Sequence, residues 1–449
     1  MSKKSETTKQ ERRKYAEEIV KRLKSAGFKA YFVGGCVRDF IRGEIPGDYD
    51  IATSALPEQI IALFDHTVGV GKKFGVVVVV EENFNYEVAT FRSDDIYQNG
   101  RRPKIIHFST EREDVLRRDF TINGLLMDPE TGEVTDYIDG RSDINNGIIR
   151  TIGDPRIRFS EDYLRMLRAI RFAANLDYKI EEHTKQAIKD NSFRIKQISA
   201  ERIQEEITKI LRRPGARYGL ELMAETGMLH QLLPEIEKLK GVNQPPRFHP
   251  EGDVWEHTLT MLELLPFGEN GEANFTLAWA VLLHDMGKAF TRTEDEKGVH
   301  FYGHVQKGEQ IAEEVMKRLR FSRTQRETII NLIHYHMVFM NVQKMRPGRL
   351  KRFLRMPNFD LHLDLHRLDC LASHGMLDNY EFCREQLRKL DTLDLHPQRL
   401  ITGHDLIALG YRPGKNMGRI LQKIENEQLE GKIKTTKEAL AFVKENWEE

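Results

Sequence analysis

The sequence predicts an α+β chain: a small α/β head followed by an all-helical remainder. Two observations carry that expectation. Short apolar, β-prone runs (KAYFV, GVVVVV, NYEVATF) cluster in roughly the first fifth of the chain. From residue 159 onward, strand signals give way to helical periodicity. Residues 9–26 read as an amphipathic helix stopped by Gly27, and strands follow near 28–33, 48–52, 75–80 and 85–91. The all-valine run suits a strand buried on both faces. Residues 28–150 therefore form one α/β domain, preceded by a helix over 1–27. FSEDYLRMLRAIRFAANL reads as one helix, with others at 181–190, 200–212 and 216–229, so that 151–240 is helical. GVNQPPRFHPEG at 241–252, rich in Gly and Pro, is the clearest linker. A His-rich helical region covers 253–375, and a polar helical tail with a GYRPGKNMG turn covers 376–449.

Composition narrows the function. With 449 residues, 40% apolar and 31% charged, the chain has room for two to four globular domains. Its longest apolar runs are too short to span a bilayer, so no membrane partner is expected. The N-terminus lacks the apolar stretch of a secretory signal. Three cysteines (Cys36, Cys370, Cys383) without CxxC spacing suit the cytoplasm. Lysine plus arginine (69) balance aspartate plus glutamate (69), so a nucleic-acid partner must be met by local basic patches.

The most constraining stretch is GGCVRDFIRGEIPGDYDI at 34–51. Gly34 and Gly35 stand where a strand gives way to a helix, a turn that lets backbone N–H groups approach a triphosphate. Twelve residues later, strand alternation places Asp48 and Asp50 on one face and Tyr49 and Ile51 on the other. Two such carboxylates repel unless divalent cations lie between them. Glycine turn plus aspartate pair is the layout for metal-assisted nucleotidyl transfer from Mg²⁺–NTP. Glu87 is a third carboxylate candidate; a solvent-facing strand acid is the alternative. Arg117 and Arg118 suit polyphosphate oxygens, and Asp119 beside them suits a ribose hydroxyl. Asp162 and Arg165, three apart on the expected helix, could read the edge of a base, although spacing alone favours a surface i,i+3 ion pair.

Taken in order, GGCVRD, DYDIATSALPEQ, EVATFR, RRDFTINGL and EDYLRMLRAIRFA resemble the signatures of class II tRNA nucleotidyltransferases. That family includes CCA-adding enzymes and bacterial poly(A) polymerases, and its head is of the polymerase β-like type. The resemblance spans about residues 28–240. It implies that Asp48 and Asp50 bind Mg²⁺ and catalyse, and that Arg117, Arg118 and Asp119 hold triphosphate and ribose. It also implies that Glu161, Asp162 and Arg165 form an amino-acid template choosing CTP or ATP. Arg38 and Arg168, within the same motifs, join the nucleotide-binding candidates. FRSDDIYQNGRRPKIIHF resembles the flexible loop of enzymes that add the terminal A.

In the second half, His257, His284-Asp285 and Asp369 form an H…HD…D series of mixed N/O metal ligands. His304 and the His334/His336 pair are candidates for a second metal. The series resembles an HD phosphohydrolase domain, which implies a transition metal (Ni²⁺, Mn²⁺ or Co²⁺) and phosphatase or 2′,3′-cyclic phosphodiesterase activity on RNA ends. KMRPGRLKRFLR at 344–355, with Arg349, Lys351 and Arg352, and Arg212, Arg213 and Arg217 are basic clusters suited to tRNA phosphates.

The expectation is a CCA-adding enzyme using CTP and ATP on tRNA. A poly(A) polymerase or A-only enzyme is the near rival. An RNA-end phosphohydrolase whose head merely binds RNA is the distant one. No sequence signal bears on oligomeric state.

Overall fold

A computed structural model describes residues 3–69, 75–82, 84–94, 97–98, 102–103, 106–296, 298–390 and 398–447. The chain folds as two compact units. The first takes residues 1–238, 265–278 and 315–321; the second takes 239–264, 279–314 and 322–449.

The first unit is built on a mixed sheet. Helix α1 (Lys3–Ser25) buries Ala16, Ile19, Val20 and Leu23, an i, i+3, i+4, i+7 stripe, and gives way at Gly27 with φ 89°. Strands β1 (Ala30–Val33), β2 (Asp50–Thr53), β3 (Thr67–Val68), β4 (Val76–Glu81) and β5 (Phe84–Thr90) follow. In space they run β1-β2-β5-β4-β3, and strands Leu126–Met127 and Val134–Thr135 extend the sheet beyond β1. β2 is parallel to β5 and antiparallel to β1. The valine strand departs from expectation. Val77 and Val79 are fully buried while Val76, Val78 and Val80 are only partly so. Antiparallel pairing on both sides leaves one face of β4 incompletely covered, so period-two burial replaces burial on both faces.

Helices then take over. The expected helix through FSEDYLRMLRAIRFAANL is in fact two, Pro155–Glu161 and Leu164–Leu176. Asp162 between them is extended, with φ −153° and ψ 105°, and its carboxylate accepts from the Leu164 N–H at 3.0 Å. The expected helix at 216–229 likewise ends at Glu225, with Gly227 at φ 73° before a short helix Met228–Leu232.

The second unit is almost wholly helical. His257, His304, His334 and Asp369 lie on helices Val254–Glu263, His304–Arg318, Arg323–Tyr335 and Phe359–Ala372, whereas His284 and Asp285 sit in the turn after helix Phe275–Leu283 and His336 opens the 3-10 helix His336–Lys344. Phe339, Phe353, Phe359 and Tyr380 anchor one apolar core. Ile401, Leu406, Ile420, Ile424 and Val443 form another among the tail helices Gly403–Ala408, Lys415–Leu429 and Thr436–Asn446. Among the described residues, no helix is long and apolar enough to cross a membrane.

Candidate functional site

The strand register assembles the first site. Val33, the last residue of β1, pairs with Asp50, the first of β2, so the Gly34 turn abuts that carboxylate. Gly34 has φ 72°, and a Cβ there would lie 3.4 Å from Asp50 Oδ2 and 3.9 Å from an Arg118 Nη. A larger residue would be strained and would intrude between them. Tyr49 is fully buried against Phe32 and Phe40, whereas Asp48 and Asp50 face solvent; β2 starts at Asp50, two residues later than expected, and the alternation continues into the extended residues before it. Arg12 of α1 lies 3.6 Å from Asp48 Oδ1 and donates to the Gly47 carbonyl at 2.6 Å. Since Ile51 pairs with Val88, the parallel register brings Glu87 alongside Asp50. Asp50 reaches solvent, yet the protein packed around it strips hydration. That loss, reinforced by repulsion from Asp48 and Glu87, pushes its pKa up to about 6. A carboxylate destabilised in this way is a fitting ligand for a divalent cation, which relieves the repulsion.

Opposite these acids lies a cleft of about 470 Å³, bordered by Gly34, Gly35, Arg38, Asp50 and a set of arginines from 117 to 202. Of the nucleotide-binding candidates, Arg117, Arg118, Asp119, Asp162, Arg165 and Arg168 all line it. Their orientations are set by carboxylates. Buried Asp114 accepts from Arg117 Nε at 2.9 Å and Nη2 at 2.5 Å through one oxygen. Its other oxygen accepts from Arg118 Nε at 3.2 Å and Nη2 at 2.8 Å. Burial alone would raise the Asp114 pKa, but Arg118 and Arg117 outweigh it and hold it below the ordinary value. Asp119 accepts from Arg168 at 2.5 and 2.9 Å. Burial acts to raise its pKa too, and Arg168 and Arg165 reverse the shift.

The break at Asp162 corrects the shared-helix argument for Asp162 and Arg165. Both still line the cleft, but by different routes. Asp162 accepts from Arg202 Nη2 at 2.6 Å, on helix Ala200–Leu211. Arg165 pairs closely with Glu161. Arg202, Asn123 and Phe172 also border the cleft and went unnoticed in the sequence. Arg202 lies 40 residues from its partner, with no local pattern to mark it. Asn123 holds Arg38 at 3.0 Å.

The basic clusters divide. Arg212 and Arg213 both grip Glu272 at 2.9 Å, and they donate to the Ala273 and Asn270 carbonyls at 2.7 and 3.1 Å. They thus brace the 270–273 turn, a task the sequence did not indicate. Arg217 pairs with Glu221. In the second unit, Arg349 and Arg352 border a cavity of about 880 Å³ together with Lys344, Arg346 and His334, whereas Lys351 does not line it. Of the loop candidate, Gly100 and residues 95–96, 99, 101 and 104–105 lie outside the described residues. Ser93 sits on a strand, Arg92–Asp94, paired with Ile106–Phe108.

The second unit concentrates its histidines. His257, His284 and Asp369 bring ligand atoms within 4.8 Å of one another, and so do Asp285, His304 and His336. His334 does not join them; half-exposed, it bonds Glu309 at 2.8 Å. Each imidazole is fixed through Nδ1. His257 meets Glu251 at 2.7 Å, His284 the Val281 carbonyl at 2.9 Å, His304 the Phe301 carbonyl at 2.8 Å, and His336 the Ile333 carbonyl at 2.5 Å. With Nδ1–H donating, Nε2 keeps its lone pair. His304 Nε2, His336 Nε2 and Asp285 Oδ1 are buried without a hydrogen-bond partner, and His257 Nε2 and His284 Nε2 meet only carboxylate oxygens, Asp369 Oδ1 at 3.3 Å and Asp285 Oδ2 at 3.2 Å. Orphaned acceptors are costly to bury, and imidazole nitrogens converging with carboxylates fit a cation. The pKa values agree. Burial acts against a charged His257, yet Asp369 and Glu251 lift it to about 9, which is proton binding where a cation is wanted. Burial holds His336 down at about 4, a neutral ligand. Gly287 of the HDMGK run permits the close approach behind this cluster, for a Cβ there would fall 1.9 Å from the His304 carbonyl oxygen.

The expected linker at 241–252 is part of this centre. Glu251 orients His257, Gln244 accepts from Lys288 at 2.7 Å, and Phe248 and His249 line the adjoining cleft. Its prolines make the backbone irregular without freeing it.

A mixed sheet whose glycine turn, aspartate pair and arginine-lined cleft converge defines a nucleotidyltransferase. Comparisons with known proteins take the identification further. Residues 30–150 match the family model "Poly A polymerase head domain", 177–240 match "Probable RNA and SrmB- binding site of polymerase A", and 290–443 match "tRNA nucleotidyltransferase domain 2 putative". The CCA-adding enzyme of Ligilactobacillus salivarius is 34% identical over 433 residues, 95% of each chain. That of Geobacillus sp. (strain WCH70) is 47% identical over 211 residues, 47% of this chain and 52% of the relative. The crystal structure of the Bacillus stearothermophilus CCA-adding enzyme in complex with CTP superposes with a TM-score of 0.72, at 28% identity and 96% coverage of each chain. The chain belongs to the class II CCA-adding enzyme family and is a nucleotidyltransferase.

Proposed function

We propose that this enzyme builds or repairs the 3′-terminal CCA of tRNA from CTP and ATP. The observation that carries the reading is the convergence of Asp50 with Arg117, Arg118, Asp162, Arg165 and Arg168 on one cleft beside the Gly34 turn. In this reading residues 28–150 perform the chemistry, 151–240 select the nucleotide, and 376–449 with the basic cavity at Arg349 and Arg352 engage tRNA phosphates.

The arginine pair gripped by Asp114 receives the triphosphate, its guanidiniums already oriented. Asp162 accepts from the exocyclic amine of cytosine or adenine, and Arg165 donates to a ring acceptor. Uracil and guanine present the opposite pattern at those positions. The primer 3′-oxygen attacks the α-phosphorus, the bond to the β-phosphate oxygen breaks, and pyrophosphate leaves. Asp48 and Asp50 would hold Mg²⁺, which when bound supplies positive charge to the triphosphate and acidity to the attacking hydroxyl. Glu87 adds a third carboxylate to that side. The test is incubation with tRNAs ending before CC, after C and after CC, with each NTP singly. Incorporation of A alone on all three would replace CCA addition by an A-only activity.

We also propose a second activity for residues 253–375: metal-dependent hydrolysis of phosphomonoesters or 2′,3′-cyclic phosphates on RNA ends. His257, His284, Asp285 and Asp369 would hold a transition metal, which supplies Lewis acidity to a phosphoryl oxygen. The support is the set of buried Nε2 atoms that converge with the Asp285 and Asp369 carboxylates. A cyclic-phosphate assay across Ni²⁺, Mn²⁺ and Co²⁺ tests it.

A further inference from the structure

We infer that the basic cavity of the second unit receives a single unpaired nucleotide of an RNA strand, its base on the cavity floor and its flanking phosphates on the rim. This rests on the reading that the cavity engages RNA phosphates, and it adds which part of an RNA enters.

The rim is built by one short helix. Helix Pro347–Leu354 turns Leu350, Phe353 and Leu354 into the apolar core around Phe339. Arg346, Arg349 and Arg352, spaced three apart, share another face, and Lys351 falls outside that row. Two contacts pin the helix against helix Lys415–Leu429 and the residue that follows it. Gly348 leaves no room for a side chain, since a Cβ there would lie 2.5 Å from Glu430 Cγ, and Arg355 bonds Glu425 at 2.6 Å.

The charges on the rim differ from those elsewhere in the chain. Arg117, Arg118, Arg168, Arg202 and Arg355 each meet a carboxylate. Among the described residues, no side-chain hydrogen bond or ion pair engages Lys344, Arg346, Arg349 or Arg352. The acid that lines the cavity, Glu430, is taken up by Lys432 at 2.6 Å. Four uncompensated cations around one concavity attract an anion.

Charge alone would suit any phosphate surface, and the floor narrows the choice. Met337, Val338 and Met345 are half-buried there, with the His334 ring beside them. The Gln306 and Asn341 amides also border the cavity and bond no other side chain among the described residues. Its volume of about 880 Å³ is that of a pocket enclosing a small molecule, not of a surface groove. A paired stem keeps its bases stacked inward and would offer only outer phosphates, leaving the apolar floor wet. An unpaired nucleotide fills both parts, with its base against methionine and imidazole and its phosphates on the arginines. Methionine moulds to differently shaped groups, and an amide both donates and accepts, so the floor takes any base. The cavity thus recognises absence of pairing, not sequence. An acidic peptide would satisfy the rim but brings no flat apolar group for the floor.

The experiment titrates the full chain with a labelled single-stranded RNA, the same strand paired into a duplex, and the strand carrying abasic positions, each over a range of salt. The intact single strand should bind about tenfold or more tightly than the other two. Arg349→Ala combined with Arg352→Ala, checked for a native unfolding profile, should erase that advantage. It should also flatten the salt dependence by a slope of about 1.4, two phosphate contacts at roughly 0.7 each. Strands of each of the four bases should be affected alike. A thiouridine strand irradiated on the wild type should crosslink to the segment from Met337 to Met345. Equal losses for single, abasic and duplex RNA would overturn the unpaired-base assignment and leave the phosphate reading standing. Unchanged affinity and salt slope in the variant would remove both. Displacement of the strand by adenosine monophosphate or by polyglutamate at equal concentration would overturn the RNA assignment in favour of a free nucleotide or an acidic chain.

Discussion

The two carboxylate sites of this chain solve opposite problems. In the head, Asp48, Asp50 and Glu87 stand on and beside the central strands in reach of water, and lost hydration, reinforced by repulsion from Asp48 and Glu87, raises Asp50 to about 6. In the second unit, Asp285 is almost wholly buried. Burial acts to raise its pKa, but His284, Lys288 and His304 pull it well below the ordinary carboxylate value. On the proposed reading, the charge that relieves the head carboxylates arrives with an incoming Mg²⁺–NTP. The histidine site carries its own donors, locked in place before any ligand arrives. An open, strained pair suits an ion exchanged at every turnover, and a closed, tautomer-fixed cluster suits a resident one.

The sharpest way to break that contrast is to remove the acids of the head. Asp48→Ala or Asp50→Ala should lower nucleotide incorporation by roughly 10³-fold or more while leaving tRNA binding nearly intact. Near-normal incorporation with Mg²⁺ by either variant would sink the assignment. Arg165→Ala comes next. It should cut the preference for CTP and ATP over UTP and GTP by about 10²-fold or more, because a site built to pair with polar base edges loses its penalty for mismatch. Wild-type preference in that variant would move the template elsewhere.

Asp285→Ala tests the independence of the two sites. Phosphohydrolase activity on a cyclic phosphate should vanish, with CCA addition changed less than about twofold. Parallel loss of both would show that the carboxylate holds the fold together instead. The smallest effect is thermodynamic. Asp114→Asn leaves two guanidiniums without their carboxylate, which should cost about 3 kcal/mol of stability by urea unfolding. The sign with pH follows from the lowered folded-state pKa. The pair contributes fully above the unfolded value near 3.8 and loses its contribution as pH falls below about 4. The wild type should therefore lose stability faster than Asp114→Asn in that acid window. Identical acid profiles would place the stabilisation elsewhere.

Much of the head was legible because its chemistry sits in short runs. Strand alternation alone put Asp48 and Asp50 outside and Tyr49 inside, and the structure has that arrangement. What escaped depended on contacts between distant segments. The helix through Asp162 breaks because its side chain caps the next helix and reaches Arg202, and aspartate before an apolar run was the available signal. The stretch 241–252 looked like a linker since Gly and Pro mark irregular backbone, but they say nothing about whether it is packed. There, Glu251 serves both His249 and His257 through one oxygen, at 2.9 and 2.7 Å. The valines of β4 hid their alternation by being identical.

The single carboxylate of Asp114 that clasps both Arg117 and Arg118 has a consequence for how these positions can vary. Replacing either arginine by lysine forfeits a two-pronged grip and half-releases the aspartate, which slackens the neighbour that was not touched. The effects of the two replacements should overlap, and the double variant should cost less than the two single ones added together. Substitution at this corner is therefore an inherited bargain among three residues: the first change is the expensive one, and later changes nearby come at a discount.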